Sequence, residues 1–178
     1  MKLCIEPVNS QFFRRYCGVL ISSLIAIGIV PLSSKPIWAQ KPAYLLAQQA
    51  AISQLRNLKQ SGERWIEIDL SKQRLIAWQG NRPVYAVIIS TGKSSTPTPT
   101  GIFSIQTRYR TTRMSGADYD VPNVPYAMFY HRGYAIHGAD WHNNFGTPVS
   151  HGCTNVAVNH ARWLYNWASI GTAIIVRD

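Results

Sequence analysis

From Arg64 onward, apolar and polar residues alternate over short segments that turn-forming residues separate. A period of two residues is typical of strands that turn one face to a core, and segments of this length are short for core helices. The pattern predicts a mainly β domain without internal repeats. The predicted strands cover residues 65–70, 75–78, 84–90, 102–107, 126–130, 134–137 and 173–176.

Two stretches carry the three-to-four-residue apolar spacing of a helix. In residues 40–62 a short apolar stripe predicts a helix or a linker. In the second stretch Asn159 is the expected N-cap and Gly171 the expected stop. The apolar stripe of this second helix is Ala161, Leu164, Tyr165 and Ala168.

The amino-terminal residues have the composition of a secretory signal peptide. Three basic residues precede an apolar run over residues 18–32, and cleavage is expected after Ala39. The run is shorter than the ~20 apolar residues that a membrane-spanning helix needs. The predicted organisation is therefore a signal peptide (1–39), a linker or short helix (40–62) and one domain (63–178), exported to the periplasm or cell envelope.

The distribution of the cysteines indicates a catalytic role for one of them. Cys4 and Cys17 lie in the predicted signal peptide, so Cys153 is the one cysteine of the predicted domain. Outside the cytoplasm an unpaired thiol gains no disulfide and is open to oxidation, which favours a catalytic role. The alternative is a buried, inert cysteine that packs as a small apolar residue.

The net charge indicates an anionic environment. Residues 40–178 carry 14 Lys and Arg against 7 Asp and Glu. Such a surface suits anionic wall polymers or a membrane surface, or it is solvated with no dedicated partner. We expect no nucleic-acid partner, because the basic residues are scattered and no zinc-finger or RNP-type motif accompanies them. The oligomeric state is left open.

All five histidines lie between His131 and His160, in the region that contains Cys153. Such a cluster suggests either a metal site or a nucleophile with its base. The spacing matches neither C-x-x-C nor H-E-x-x-H, so we expect no metal and no cofactor, with zinc as the alternative. The residues that could supply zinc ligands are His137, His142, His151, Asp140 and Cys153.

A nucleophilic site needs a thiolate, a base and donors for an oxyanion. His137 can accept the proton of Cys153 if the two segments meet, and a nearby imidazolium would lower the pKa of the thiol. The backbone amides of Gly152 and Cys153 can face the oxyanion, because glycine leaves them accessible. His151 stands two residues from Cys153, so it either shapes the site or packs as an ordinary core histidine.

These residues carry a resemblance to a known family. Residues 150–155 (S-H-G-C-T-N), preceded by Ile136, His137 and Gly138, resemble the signature of the YkuD-type L,D-transpeptidases. Residues 98–103 (T-P-T-G-I-F) resemble a second segment of the family, and the resemblance covers roughly residues 64–178.

The resemblance implies a β-sandwich-like YkuD-type domain that performs a two-step acyl transfer on peptidoglycan stem peptides. Cys153 is the implied nucleophile: it attacks the L,D peptide bond, D-alanine leaves, and an amine of a neighbouring stem resolves the thioester. His137 is the implied proton acceptor. Many members carry arginine where this chain has Asn155. The residues expected to shape the site and its oxyanion pocket are His151, Gly152, Gly138, Ser150 and Asn155.

The groove for the stem peptide is expected to be aromatic. Trp141, Phe145 and Tyr126 are its candidate walls, with packing in the core as the alternative. Two other functions stay open. With water as the acceptor the same site is an L,D-carboxypeptidase, and a domain that kept the fold without the activity is a wall-binding module.

Overall fold

The computed structural model describes residues 42–178, so the predicted signal peptide, Cys4 and Cys17 lie outside the described residues. Within this range, neither helix is long and apolar enough to cross a membrane. The elements in chain order are α1 Ala43–Ser61, β1 Arg64–Asp69, β2 Arg74–Gln79, β3 Arg82–Ile88, β4 Gly101–Ser104, β5 Thr107–Ser115, β6 Asp120–His131, β7 Tyr134–Ala139, β8 Thr154–Ala157, α2 Val158–Trp167 and β9 Ala173–Arg177.

The strands form two sheets. The five-stranded sheet has the order β3-β2-β1-β9-β4, and the four-stranded sheet has the order β5-β6-β7-β8. The pairs β1–β9 and β7–β8 are parallel, and the other pairs are antiparallel. The prediction of a mainly β, sandwich-like domain with one or two short helices is confirmed for the strands; the structure has two helices, of which α1 is 19 residues long.

The main apolar core lies between the sheets, because alternate side chains of both sheets point into it. In β1, Ile66 and Ile68 belong to this core, and both are fully buried. Trp65 points to the opposite face, where it packs with Leu58 of α1. It also stacks on Trp78 at 5.3 Å between ring centroids. The helix α1 therefore covers the outer face of the five-stranded sheet at this point.

The ends of α2 differ from the prediction. The helix begins at Val158 with Ala157 at the N-cap position and no side-chain cap, so the prediction of Asn159 as N-cap is wrong. The physical reason is that β8 passes directly into α2, which places Asn159 inside the first turn. The helix ends at Trp167, and Gly171 lies beyond it with a φ of 88°.

Candidate active site

Two parallel strands, β7 and β8, bring His137 and Cys153 to one pocket. Their register pairs His137 with Asn155, so Cys153, immediately before β8, lies beside Ala135. Ala135 and His137 are two residues apart in β7 and project from the same face. His137 and Cys153 both line a pocket of about 350 Å³. His137 and Cys153, which are sixteen positions apart in the sequence, therefore meet at this pocket.

The protonation of His137 follows from its contacts. The side chain is 3% exposed, and its Nδ1 lies 3.0 Å from the carbonyl oxygen of Gly138. A carbonyl only accepts hydrogen bonds, so Nδ1 carries the proton and Nε2 of the neutral ring is free. Burial lowers the pKa of His137 to about 4, against the opposing effect of the Gly138 carbonyl. At neutral pH His137 is therefore an uncharged base.

The Cys153 thiol is also uncharged in the resting site. Burial raises the pKa of Cys153, although a hydrogen bond from the backbone of Ala135 acts in the opposite direction. The thiol Sγ lies 3.7 Å from the carbonyl oxygen of Gly133, to which it donates. The expectation that an imidazolium lowers the thiol pKa is wrong for this state, because burial disfavours both charged forms.

The loop 150–153 is held by its own hydrogen bonds. Ser150 Oγ donates to the carbonyl oxygen of Cys153 and accepts the backbone N–H of Gly152 at 3.0 Å. Of the two amides considered for an oxyanion, that of Gly152 is therefore already bonded. Gly152 has a φ of 114°, and a Cβ there would lie 2.5 Å from Cε1 of Tyr134. Glycine is needed at this position.

Gly138 and Asn155 are neighbours of His137, the first along β7 and the second across the β7–β8 register. A Cβ at Gly138 would lie 2.9 Å from Cγ of Pro125, so glycine lets β6 approach β7 closely. Asn155 is 4% exposed, and its amide Nδ2 lies 2.9 Å from Nε2 of His142. Asn155 and His142 both line the pocket.

His151 lines the pocket and is exposed, so it is not a core histidine. Its Nε2 lies 3.1 Å from a carboxylate oxygen of Asp118, and its ring stacks on Tyr119 at 4.8 Å between centroids. Both partners lie in the turn between β5 and β6. Sequence reasoning missed them, because nothing local in the sequence relates this turn to a residue more than thirty positions away.

The β5–β6 hairpin forms a further wall of the pocket, which the sequence did not predict. The side chains that the hairpin contributes to the pocket lining are apolar, apart from the phenol of Tyr119. A possible signal was the apolar spacing at residues 119, 121 and 124. The hairpin residues that line the pocket are Met114, Tyr119, Val121 and Val124.

The three aromatic residues expected in the groove are placed differently. Trp141 lines the pocket, is 45% exposed, and stacks on His137 at 5.8 Å between ring centroids. Tyr126 does not line the pocket that the described residues form, because its ring packs on Tyr165 of α2 at 5.7 Å. Phe145 lies against His142 at 5.0 Å and is likewise outside the lining.

The side chains considered for zinc make other contacts. His137 bonds to a backbone carbonyl, His151 to Asp118 and His142 to Asn155. Over residues 42–178, no group of three or more His, Cys, Asp or Glu side chains is arranged to hold a metal ion. The Cys153 thiol and the His137 imidazole line the same pocket.

Known proteins resemble this chain in sequence and in structure. L,D-transpeptidase 2 of Mycobacterium tuberculosis (strain CDC 1551 / Oshkosh) is 33% identical over 99 residues, which cover 49% of this chain and 24% of that protein. The chain thus spans about a quarter of that relative. An L,D-transpeptidase from Mycobacterium smegmatis has a TM-score of 0.61 and 26% identity, covering 65% of this chain and 59% of that one. LD transpeptidase LdtMt1 in complex with imipenem has a TM-score of 0.60 and 26% identity, covering 64% of this chain and 58% of that one.

The family comparison covers nearly all of the predicted domain. The model of the L,D-transpeptidase catalytic domain, YkuD, matches residues 63–176. This stretch contains both sheets apart from Arg177 at the end of β9, together with α2 and every residue of the pocket described above. The chain therefore belongs to the family of YkuD-type L,D-transpeptidase catalytic domains, an acyltransferase class of enzymes.

Proposed function

We propose that this protein is an exported L,D-transpeptidase that cross-links peptidoglycan stem peptides through a thioester on Cys153. The observation that carries the proposal is the placement of the thiol and of a neutral, oriented His137 on one face of β7 and β8. Export to the periplasm or cell envelope rests on the composition of residues 1–39.

In the first step Sγ of Cys153 attacks the carbonyl carbon of the L,D peptide bond while Nε2 of His137 takes the thiol proton. In the resting site the thiol donates to the carbonyl oxygen of Gly133. The S–H bond therefore has to turn from Gly133 toward His137 when substrate enters. The negative charge that develops on the carbonyl oxygen is stabilised by the backbone N–H of Cys153. The C–N bond then breaks, His137 returns the proton to the amino group of D-alanine, and a thioester remains.

In the second step an amine of a neighbouring stem attacks the thioester carbon. His137 accepts a proton from the attacking nitrogen and passes it to the leaving Sγ, which regenerates the thiol and forms the new amide bond. Water in place of the amine gives a free carboxylic acid, which is the L,D-carboxypeptidase reaction. No step requires a metal or an organic cofactor.

The pocket suits a peptide substrate. Met114, Val121 and Trp141 provide apolar walls, and apolar walls with a few polar groups are typical of small-ligand sites. The excess of basic residues favours association with the anionic polymers of the wall.

Product analysis tests the proposal. The protein and its Cys153→Ala variant are incubated with a disaccharide-tetrapeptide, and the products are identified by mass spectrometry. We expect free D-alanine and a dimer with the mass of two substrates less one D-alanine, from the wild type alone. Tripeptide without dimer would assign the carboxypeptidase reaction. Unchanged substrate with a folded wild type would favour the wall-binding module.

A further inference from the structure

The hydroxyl of Thr98 connects two loops beneath the candidate nucleophile. Thr98 Oγ1 donates to the carbonyl oxygen of Gly152 at 2.8 Å and accepts the backbone N–H of Gly92 at 2.9 Å. Thr98 is 4% exposed, so both hydrogen bonds are shielded from water. The carbonyl that it binds belongs to the same peptide group as the backbone N–H of Cys153.

The direction of that N–H follows from the direction of the carbonyl. In a trans peptide the C=O and N–H bonds point in opposite directions, so a Gly152 carbonyl held on Thr98 aims the Cys153 amide away from Thr98. A hydrogen bond to the carbonyl also polarises the peptide group and strengthens its N–H as a donor. Of the two amides considered for the oxyanion, that of Gly152 is occupied by Ser150, which leaves the Cys153 amide as the donor.

The peptide group needs an external support. Gly152 has a φ of 114°, in a region that glycine enters and leaves at little cost. The neighbouring backbone is packed tightly: a Cβ at Gly92 would lie 2.8 Å from Cα of Gly152 and 2.8 Å from the backbone nitrogen of Thr98. Packing therefore holds the loops together, and the Thr98 hydroxyl sets the rotation of the peptide.

We propose that Thr98 is a positioning residue of the acyl transfer, which orients the oxyanion-binding amide of Cys153 through the Gly152 carbonyl. This inference rests on the proposed function. Thr98 is not among the residues that line the pocket, so it acts through the loop and not on the substrate. Its loss is expected to slow thioester formation and to leave ligand affinity unchanged.

The test compares Thr98→Val, which keeps the shape and removes the hydroxyl, with Thr98→Ser, which keeps the hydroxyl. Acylation by imipenem is followed by quenched intact-mass spectrometry at several concentrations, which separates the acylation rate constant from the half-saturating concentration. Removing a direct oxyanion donor costs on the order of 10²–10³ in rate, so we expect at least about a tenfold slower acylation for Thr98→Val. The half-saturating concentration and the pH profile should not change, and Thr98→Ser should stay within about threefold of the wild type.

Thr96→Val is the matched control. Thr96 Oγ1 donates to the carbonyl oxygen of Ser150 at 3.0 Å, so it ties the same two loops without touching the peptide group of Cys153. We expect this variant to acylate within about threefold of the wild type, because the oxyanion donor keeps its support. Thermal unfolding of every variant checks that the fold is retained.

Several outcomes would overturn the inference. Wild-type acylation rates in Thr98→Val, equal slowing in Thr98→Ser, or equal slowing in Thr96→Val would each show that the hydroxyl does not position the amide. If Thr98→Val does not fold, Thr98→Ala gives the loop room to relax and is compared with Thr98→Ser in the same way. A folded wild type that is never acylated would overturn the proposed function itself, which distinguishes the two failures.

Discussion

Acylation of Cys153 should persist to mildly acidic pH, because burial lowers the pKa of His137 to about 4. A base with that pKa is ~90% neutral at pH 5 and ~99.9% neutral at pH 7, so the fraction of neutral base changes by only about 10%. An imidazole with the ordinary pKa of about 6.5 would be ~3% neutral at pH 5 and ~76% neutral at pH 7. The rate ratio between pH 7 and pH 5 is then about 1.1 in the first case and about 25 in the second.

The sign of the dependence follows from the lowered pKa. Activity is present above the folded-state pKa of His137 and is lost as the pH falls through about 4. Because burial raises the pKa of the Cys153 thiol, the reacting form at neutral pH is the protonated thiol beside a neutral base. A reaction that used only free thiolate would instead accelerate by about tenfold per pH unit.

The assay is the second-order rate constant of acylation by imipenem between pH 3.5 and pH 8, followed by intact mass. This constant reports the pKa values of the free enzyme. Circular dichroism at each pH checks that the protein remains folded. We expect a plateau between pH 5 and pH 7 and a half-maximal rate near pH 4. Two results would refute a neutral thiol beside a neutral imidazole. One is a half-maximal rate near pH 6.5, and the other is a tenfold rise in the rate constant per pH unit between pH 5 and pH 7.

Three further predictions concern single side chains. Gly152→Ala should lower the free energy of unfolding by at least about 2 kcal/mol and slow acylation, because its Cβ meets Tyr134 and its φ is positive; denaturant unfolding and intact mass measure the two effects. Trp141→Ala should raise the half-saturating concentration of imipenem, whereas Tyr126→Ala should leave it unchanged, since only Trp141 lines the pocket. Asp69 is buried, which raises its pKa, but its hydrogen bonds and ion pairs lower that pKa to about 2. It therefore stabilises the fold above about pH 4, and Asp69→Asn should cost about 2 kcal/mol at pH 7 and less at pH 2.5 in the same unfolding assay.

The parts of the fold that the sequence predicted include strands in which core side chains alternate with polar ones. In β1, Ile66 and Ile68 of the main core alternate with Glu67 and Asp69, and this pattern is visible in the chain itself. The strand β5 was missed because it lies at the edge of its sheet and carries mostly exposed Arg and Thr residues. The start of α2 was misplaced because a strand runs into the helix without a capping turn.

The site was predictable where local sequence carries it. Cys153 and His137 were predicted as site residues from residue type, clustering and motif, and the β7–β8 pairing brings both to one pocket. The contact of Asp118 with His151 and the packing of Tyr126 depend on residues more than thirty positions away. The uncharged state of the thiol and imidazole depends on burial, which composition and spacing do not report.

The central claim, that Cys153 is the nucleophile, is tested most directly by intact-mass spectrometry of the protein with imipenem beside its Cys153→Ala variant. Peptide mapping then locates the modified residue, and circular dichroism confirms that both proteins are folded. We predict one adduct per wild-type chain, located on Cys153, and none on the variant. An adduct on the folded variant, or a folded wild type that takes up none, would contradict the account.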